Sequence, residues 1–136
     1  MTGDPAFDER AARTGAAFSR AIARSPASHT LWMSALDLAA GPAAEIVIAG
    51  RRQTADTAAL LDIVRTSYLP NAVALFKPED DPPAAKKLAE LAPFVSEMRM
   101  VNGAAAAYVC SGFACRAPVT GLEELRALLV TRSRTS

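Results

Sequence analysis

Two short apolar runs constrain the fold more than anything else in this chain. EIVIAG (Glu45–Gly50) is β-branched and apolar at neighbouring positions and ends in glycine, and AVALF (Ala72–Phe76) repeats the texture. Runs of this kind suit strands buried on both faces, as in a parallel sheet covered by helices. Between them, Thr54–Tyr68 carries Leu60, Leu61, Val64 and Tyr68 at helical spacing, and Pro70-Asn71 ends it. A strand–helix–strand unit crosses over right-handed and sets its two strands parallel.

Upstream, the pattern is helical. Asp4-Pro5 is a cap followed by the residue best suited to a first helical position. Phe7, Ala11, Phe18 and Ile22 then fall on one face, and Ser25-Pro26 restarts the same device. The second helix carries Leu31, Trp32, Met33, Leu36 and Leu38 around most of its circumference and stops at Gly41-Pro42. An apolar surface that wide expects burial on more than one side. Residues 4–40 therefore read as a helical hairpin.

Downstream, KPEDDPP reads as a solvated loop, and residues 84–95 as a helix with Leu88, Leu91 and Val95 inward. AAAAYVC (Ala104–Cys110) is rich in a helix former. Asn102-Gly103 and Ser111-Gly112 fence it to a length that suits a strand. It is expected as a third parallel strand, with ACRAPV returning antiparallel along the edge, where Pro118 is tolerated. Thr120 and Glu123 make a capping box for a last helix with Leu122, Leu125, Leu128 and Leu129 inward. The expected architecture is α/β: a helical hairpin (1–42), then a small, mostly parallel sheet of three to four strands with flanking helices (43–131), then a disordered tail (132–136).

Composition excludes several classes of function. A net charge of +1 gives no electrostatic reason to bind nucleic acid or an anionic membrane. Twelve of the fifteen basic residues are Arg in an Ala-rich chain, which reads as coding bias and not as a recognition patch. No apolar run approaches the roughly 20 residues of a membrane span. The acidic start MTGDPAFDERAAR lacks the features of a signal peptide. A cytoplasmic setting is expected, and there thiols stay reduced.

The candidate sites are few. Cys110 and Cys115 are the only cysteines. Zinc needs four ligands, and His29 lies far away in sequence, so no metal is expected. Their spacing is not Cys-x-x-Cys and no helix follows, which removes the usual redox geometry. They face each other across a hairpin in this reading; packing as two small hydrophobic thiols comes first and a reversible disulfide second. Gly50, Arg51, Arg52 and Thr54 follow a strand and open a helix, where an α/β fold binds anions. The stretch has a single glycine and no phosphate-loop pattern, so an ordinary connection is favoured over an anion site. Glu79, Asp80 and Asp81 among three prolines read as a solvated charge run. His29 has no nucleophile at a recognisable spacing. No catalytic constellation is present in the sequence, and no cofactor is expected.

AAYVCSGFACRAPVTGLEEL resembles the C-terminal end of the YyaL-type proteins, also called spermatogenesis-associated or thioredoxin-domain-containing proteins. These share an A-Y-V-C-x-x-F-x-C-x-x-P-V-T pattern before a short Leu-rich helix, and Tyr108, Val109, Cys110, Phe113, Cys115, Pro118, Val119 and Thr120 fit it. The EIVIAG and SYLPNAVAL segments are similar too, so the resemblance covers roughly residues 17–129. It implies a longer parent with a thioredoxin-like domain and an α/α toroid similar to six-hairpin glycosidases, and neither the thioredoxin motif nor most of the toroid is in this sequence. The hairpin would then be the end of the toroid and the rest a non-catalytic structural or interaction domain. The alternatives are part of an enzyme binding a sugar or nucleotide-like ligand, or a thiol redox accessory. The resemblance implies no catalytic residue. The expected partner is the remainder of the parent, or a second copy held through Leu31, Trp32, Leu36 and Leu38.

Overall fold

The computed structural model describes residues 4–41, 43–112 and 114–133, with side chains up to Val130. Phe113 and Pro42, singled out above, and most of the expected tail lie outside the described residues.

Helix α1 (Pro5–Arg24) starts as its sequence dictates: the Asp4 carboxylate accepts from the Ala6 amide at 2.9 Å, and Pro5 takes the first position. A single 3-10 turn (Pro26–His29) leads into α2 (Thr30–Ala40), capped at its end by Gly41. The two helices touch closely at one point, where a Cβ on Gly15 would meet the Trp32 ring at 3.0 Å.

Strands β1 (Ala44–Gly50), β2 (Ala72–Pro78), β3 (Ala106–Ser111) and β4 (Ala114–Cys115) form one sheet in the order β2-β1-β3-β4. Helices α3 (Ala55–Thr66) and α5 (Leu122–Ser133) cover one face; α4 (Pro82–Leu91) and a 3-10 turn at Pro93–Val95 cover the other. Alternation along the strands divides the core accordingly. Ile46, Ile48, Ala107 and Val109 meet Leu60, Ile63, Val64, Leu125 and Leu129. Val47 and Cys110 meet Ala92, Val95 and Met98. The buried alanines at 105–107 explain why an Ala-rich run is a strand here: small side chains let the layers approach.

The α/β class holds, and β1 and β2 run parallel from Ala44↔Ala72 to Gly50↔Pro78. One expectation does not hold: β3 pairs antiparallel with β1, from Ala44↔Ser111 to Ala49↔Ala106, so the sheet is mixed. The cause lies in where the chain returns. After α4, the Val95–Met98 segment is anchored to Lys77 at the C-terminal end of β2. A tight turn at Val101–Ala104 follows, with Asn102 and Gly103 both at positive φ, and the Ala105 amide bonds Asp56 beside the end of β1. The chain thus enters β3 at the end where β1 and β2 finish, and it can only run back.

Smaller corrections have local causes. Tyr68 lies beyond the end of α3 and is 83% exposed. Leu91 and Leu122 also face solvent, whereas Val95 is fully buried. Helix α5 starts at Leu122, one residue later than a Thr120–Glu123 box requires, and Glu123 faces Arg126 at 3.7 Å.

Candidate functional site

Three places in the fold gather the sequence's candidate residues. The first is the edge where β1 and β2 end. Gly50 is required there because a Cβ would fall 2.3 Å from the Thr57 hydroxyl and 3.1 Å from Ala105. The Glu79 amide bonds the Gly50 carbonyl at 2.8 Å, tying the two strand ends. Thr54 bonds the Arg51 carbonyl (3.0 Å) and the Thr57 hydroxyl (2.9 Å), while Gln53 turns the chain at a positive φ.

The charges of this edge balance one another. Arg52 donates its amide to Asp80 (3.1 Å), and its guanidinium lies 3.6 Å from Asp80 and 3.0 Å from Asp81. Asp81 also caps α4 by accepting from Ala84. Asp56 accepts from the Ala105 and Thr57 amides, both at 2.8 Å. The Ala105 amide, then the Thr54 hydroxyl and the Thr57 amide, hold Asp56 below the usual carboxylate range. The Arg52 amide, ahead of its guanidinium, holds Asp80 low in the same way. An anion entering beside Gly50, Arg51, Arg52 and Thr54 would meet the carboxylates of Asp56, Asp80 and Asp81, already bonded. The acidic run is therefore a structural partner of the loop more than a bare solvated face. Among the described residues no group of three or more His, Cys, Asp or Glu side chains is placed to hold a metal.

Sequence reasoning missed Lys77, assigned to a loop but buried at the end of β2. Its ammonium donates to the carbonyls of Val95 (3.1 Å), Ser96 (3.1 Å) and Met98 (2.5 Å), with Glu79 at 3.6 Å. Burial, with help from Arg99, pushes its pKa down. The available signal was its place in the alternation: Val73, Leu75 and Lys77 share a face with Val47. Its three protons already have three acceptors, so it organises backbone and leaves no proton free for chemistry. A surface pocket of about 390 Å³ beside it is lined by Pro78, Pro82, Lys86, Ser96 and Arg99.

The second place is the hairpin of β3 and β4. Cys110 and Cys115 are direct cross-strand partners and form a disulfide, with Cα atoms 3.9 Å apart. Free packing thiols were the favoured expectation; the register explains the difference. The Arg116 amide bonds the Val109 carbonyl, so the cysteines occupy the adjacent narrow, non-hydrogen-bonded position, where side chains come closest. Cys110 is buried at 3% exposure and Cys115 is exposed.

The third place is the helical hairpin. Ile22 is its single buried residue among those described, and α2 has none. Leu31 is 85% exposed, Phe7 57%, Phe18 55%, Leu36 44% and Met33 41%; Trp32 and Leu38 are half-buried. An apolar groove of about 410 Å³ runs between the helices, lined by Gly15, Ile22, Pro26, Trp32, Met33 and Leu36. Burial on several sides, expected of α2, does not occur within the described residues. His29 is half-buried and bonds the Ser25 carbonyl at 2.9 Å, as a satisfied histidine. No helix among the described residues is long and apolar enough to cross a membrane.

No model of a known protein family matches the chain, and no solved structure does. Among curated proteins it is similar to spermatogenesis-associated protein 20. The Homo sapiens protein is 38% identical over 113 residues, which is 83% of this chain and 14% of that protein. The Rattus norvegicus protein is 34% identical over 129 residues, 95% of this chain and 16% of its own length. The Mus musculus protein is 35% identical over 113 residues, again 14% of its length. The chain thus spans about one-seventh of the length of the curated relatives it matches.

Proposed function

Since most of this chain is homologous to one stretch of spermatogenesis-associated protein 20, we propose that it is a non-catalytic structural and interaction module, working as one part of a larger protein of that family. The observation that carries the reading is helix α2: apolar in sequence, with no buried residue and with Leu31 85% exposed. Exposed apolar surface on this scale marks an interface. The occupant proposed is the remainder of a longer polypeptide of the relatives' kind, with a second copy as the substitute when that remainder is missing. The proposal includes the finer resemblance, in which the hairpin (1–42) ends an α/α toroid, residues 43–131 form the C-terminal α/β domain, and a thioredoxin-like domain lies elsewhere in the parent. A cytoplasmic setting goes with it, and cell fractionation tests that clause.

The non-catalytic part rests on the strand-end edge, where Asp56, Lys77, Asp80 and Asp81 are all engaged in holding backbone and the Arg52 guanidinium is paired with Asp80 and Asp81. The experiment is direct. The chain is mixed with the separately expressed remainder of a longer relative and followed by sedimentation velocity. A complex, or self-association of the chain alone, that is lost in Leu31→Asp with Leu36→Asp is the expected result. A chain that stays monomeric at high concentration and forms no complex overturns the reading.

A further inference from the structure

We propose that the Cys110–Cys115 disulfide is a thiol–disulfide exchange site at which a dithiol attacks Cys115, and that its redox state decides whether the outer edge of β3 stays covered. The two sulfurs differ in access. Cys110 belongs to the core with Val47, Val95 and Met98, whereas Cys115 and its neighbours from Ala114 to Pro118 are all exposed. An incoming thiolate can align on Cys115 from solvent, and reaching Cys110 would require opening the core. Exchange proceeds in line through the sulfur that is reached, so the leaving group is fixed as well.

The balance is simple. One thiolate of the dithiol bonds Cys115 Sγ, the Cys110–Cys115 bond breaks, and Cys110 departs as a thiolate that takes up a proton. The second thiol of the reagent then attacks its own sulfur in the mixed disulfide and releases Cys115. The dithiol ends as a disulfide and the protein as two thiols. The reverse steps, with a disulfide as oxidant, close the bond again.

What the bond holds is a strap. Residues 114–119 lie along the outer side of β3 through the Arg116 amide on the Val109 carbonyl and the mutual bonds of Ala107 and Val119. Val119 packs on the core at one end. From Ala114 to Pro118 no side chain is buried, and Gly112 stands in open space at positive φ. With so little apolar burial, the covalent bond is what secures the turn end of the strap. Once it is cut, the strap frays and the β3 edge presents unpaired backbone groups.

The test uses the full chain purified without reductant. Fraction oxidised is read by alkylation and mass spectrometry across a dithiothreitol series, and amide exchange is read in both states. Expected are a formed bond, full and reversible reduction of the folded protein, and exchange at Arg116 and Val119 faster by at least about tenfold as local opening eases, with Ile46–Ile48 unchanged. Glutathione should leave its trapped adduct on Cys115. Four results would each overturn the proposal: no bond in the purified protein, reduction only after unfolding in guanidinium, equal strap exchange in both states, or an adduct on Cys110.

Discussion

Lys77 shows what one buried charge demands of its surroundings. Three carbonyls converge on its ammonium, and those carbonyls belong to the segment that steers the chain into β3. Lys77→Ala strips the donors and leaves the acceptors buried, so a loss of about 2–4 kcal/mol in urea unfolding is expected. A loss below about half a kcal/mol, the range of ordinary surface changes, would mean the carbonyls find water instead. Asp56 gives the pH dependence. Its carboxyl, like that of Asp80, is held below the usual range in the fold, so near pH 4 the unfolded chain binds the extra proton. Stability from these groups is complete above about pH 4 and is lost as pH falls through their folded values. Asp56→Asn should therefore make the acid loss shallower in urea midpoints between pH 7 and pH 2. An unchanged acid slope would remove Asp56 from that account.

At the scale of elements, burial separates helices of similar composition. In α3, Leu60 is 1% exposed between the sheet and α5, and Leu60→Ala should cost about 2–4 kcal/mol by the cavity it leaves. In α2, Leu31→Asp with Leu36→Asp should change stability by less than about 0.5 kcal/mol, because both already face solvent. A large loss in the second case would mean α2 packs against the molecule after all. The same contrast explains what was legible in the sequence. Strands β1 and β2 and their parallel pairing could be read from run length and the intervening helix. The direction of β3 could not, since parallel and antiparallel strands share a period of two, and its deciding cue was a lysine read as loop. The disulfide was missed for a related reason: the spacing allowed facing cysteines, but only the register puts Cys110 and Cys115 at a narrow pair. The exposure of α2 was hidden too, because an apolar circumference states that a helix must be covered and not by what.

For the whole molecule, the division of the core has a consequence for folding. Among the described residues the hairpin contributes Ile22 alone to the buried set, and the other buried apolar residues lie at or beyond Ala44. A chain of residues 43–133 should therefore keep its cooperative unfolding and its β signature in circular dichroism, losing helix signal only. A non-cooperative melt would show that the sheet depends on the hairpin. The disulfide has a different consequence when the chain is pulled and not dissolved. An unfoldase draws a polypeptide through its pore in single file, but at the bonded cysteines two strands must pass abreast. Stretched by its ends, the oxidised chain also falls short. The separation of 5 residues, at roughly 3.4 Å each, less the 3.9 Å held across the bond, makes it about 13 Å shorter than the reduced one. The same covalent link that steadies a few exposed residues would then act as a stop for any machine that takes the molecule apart by tension.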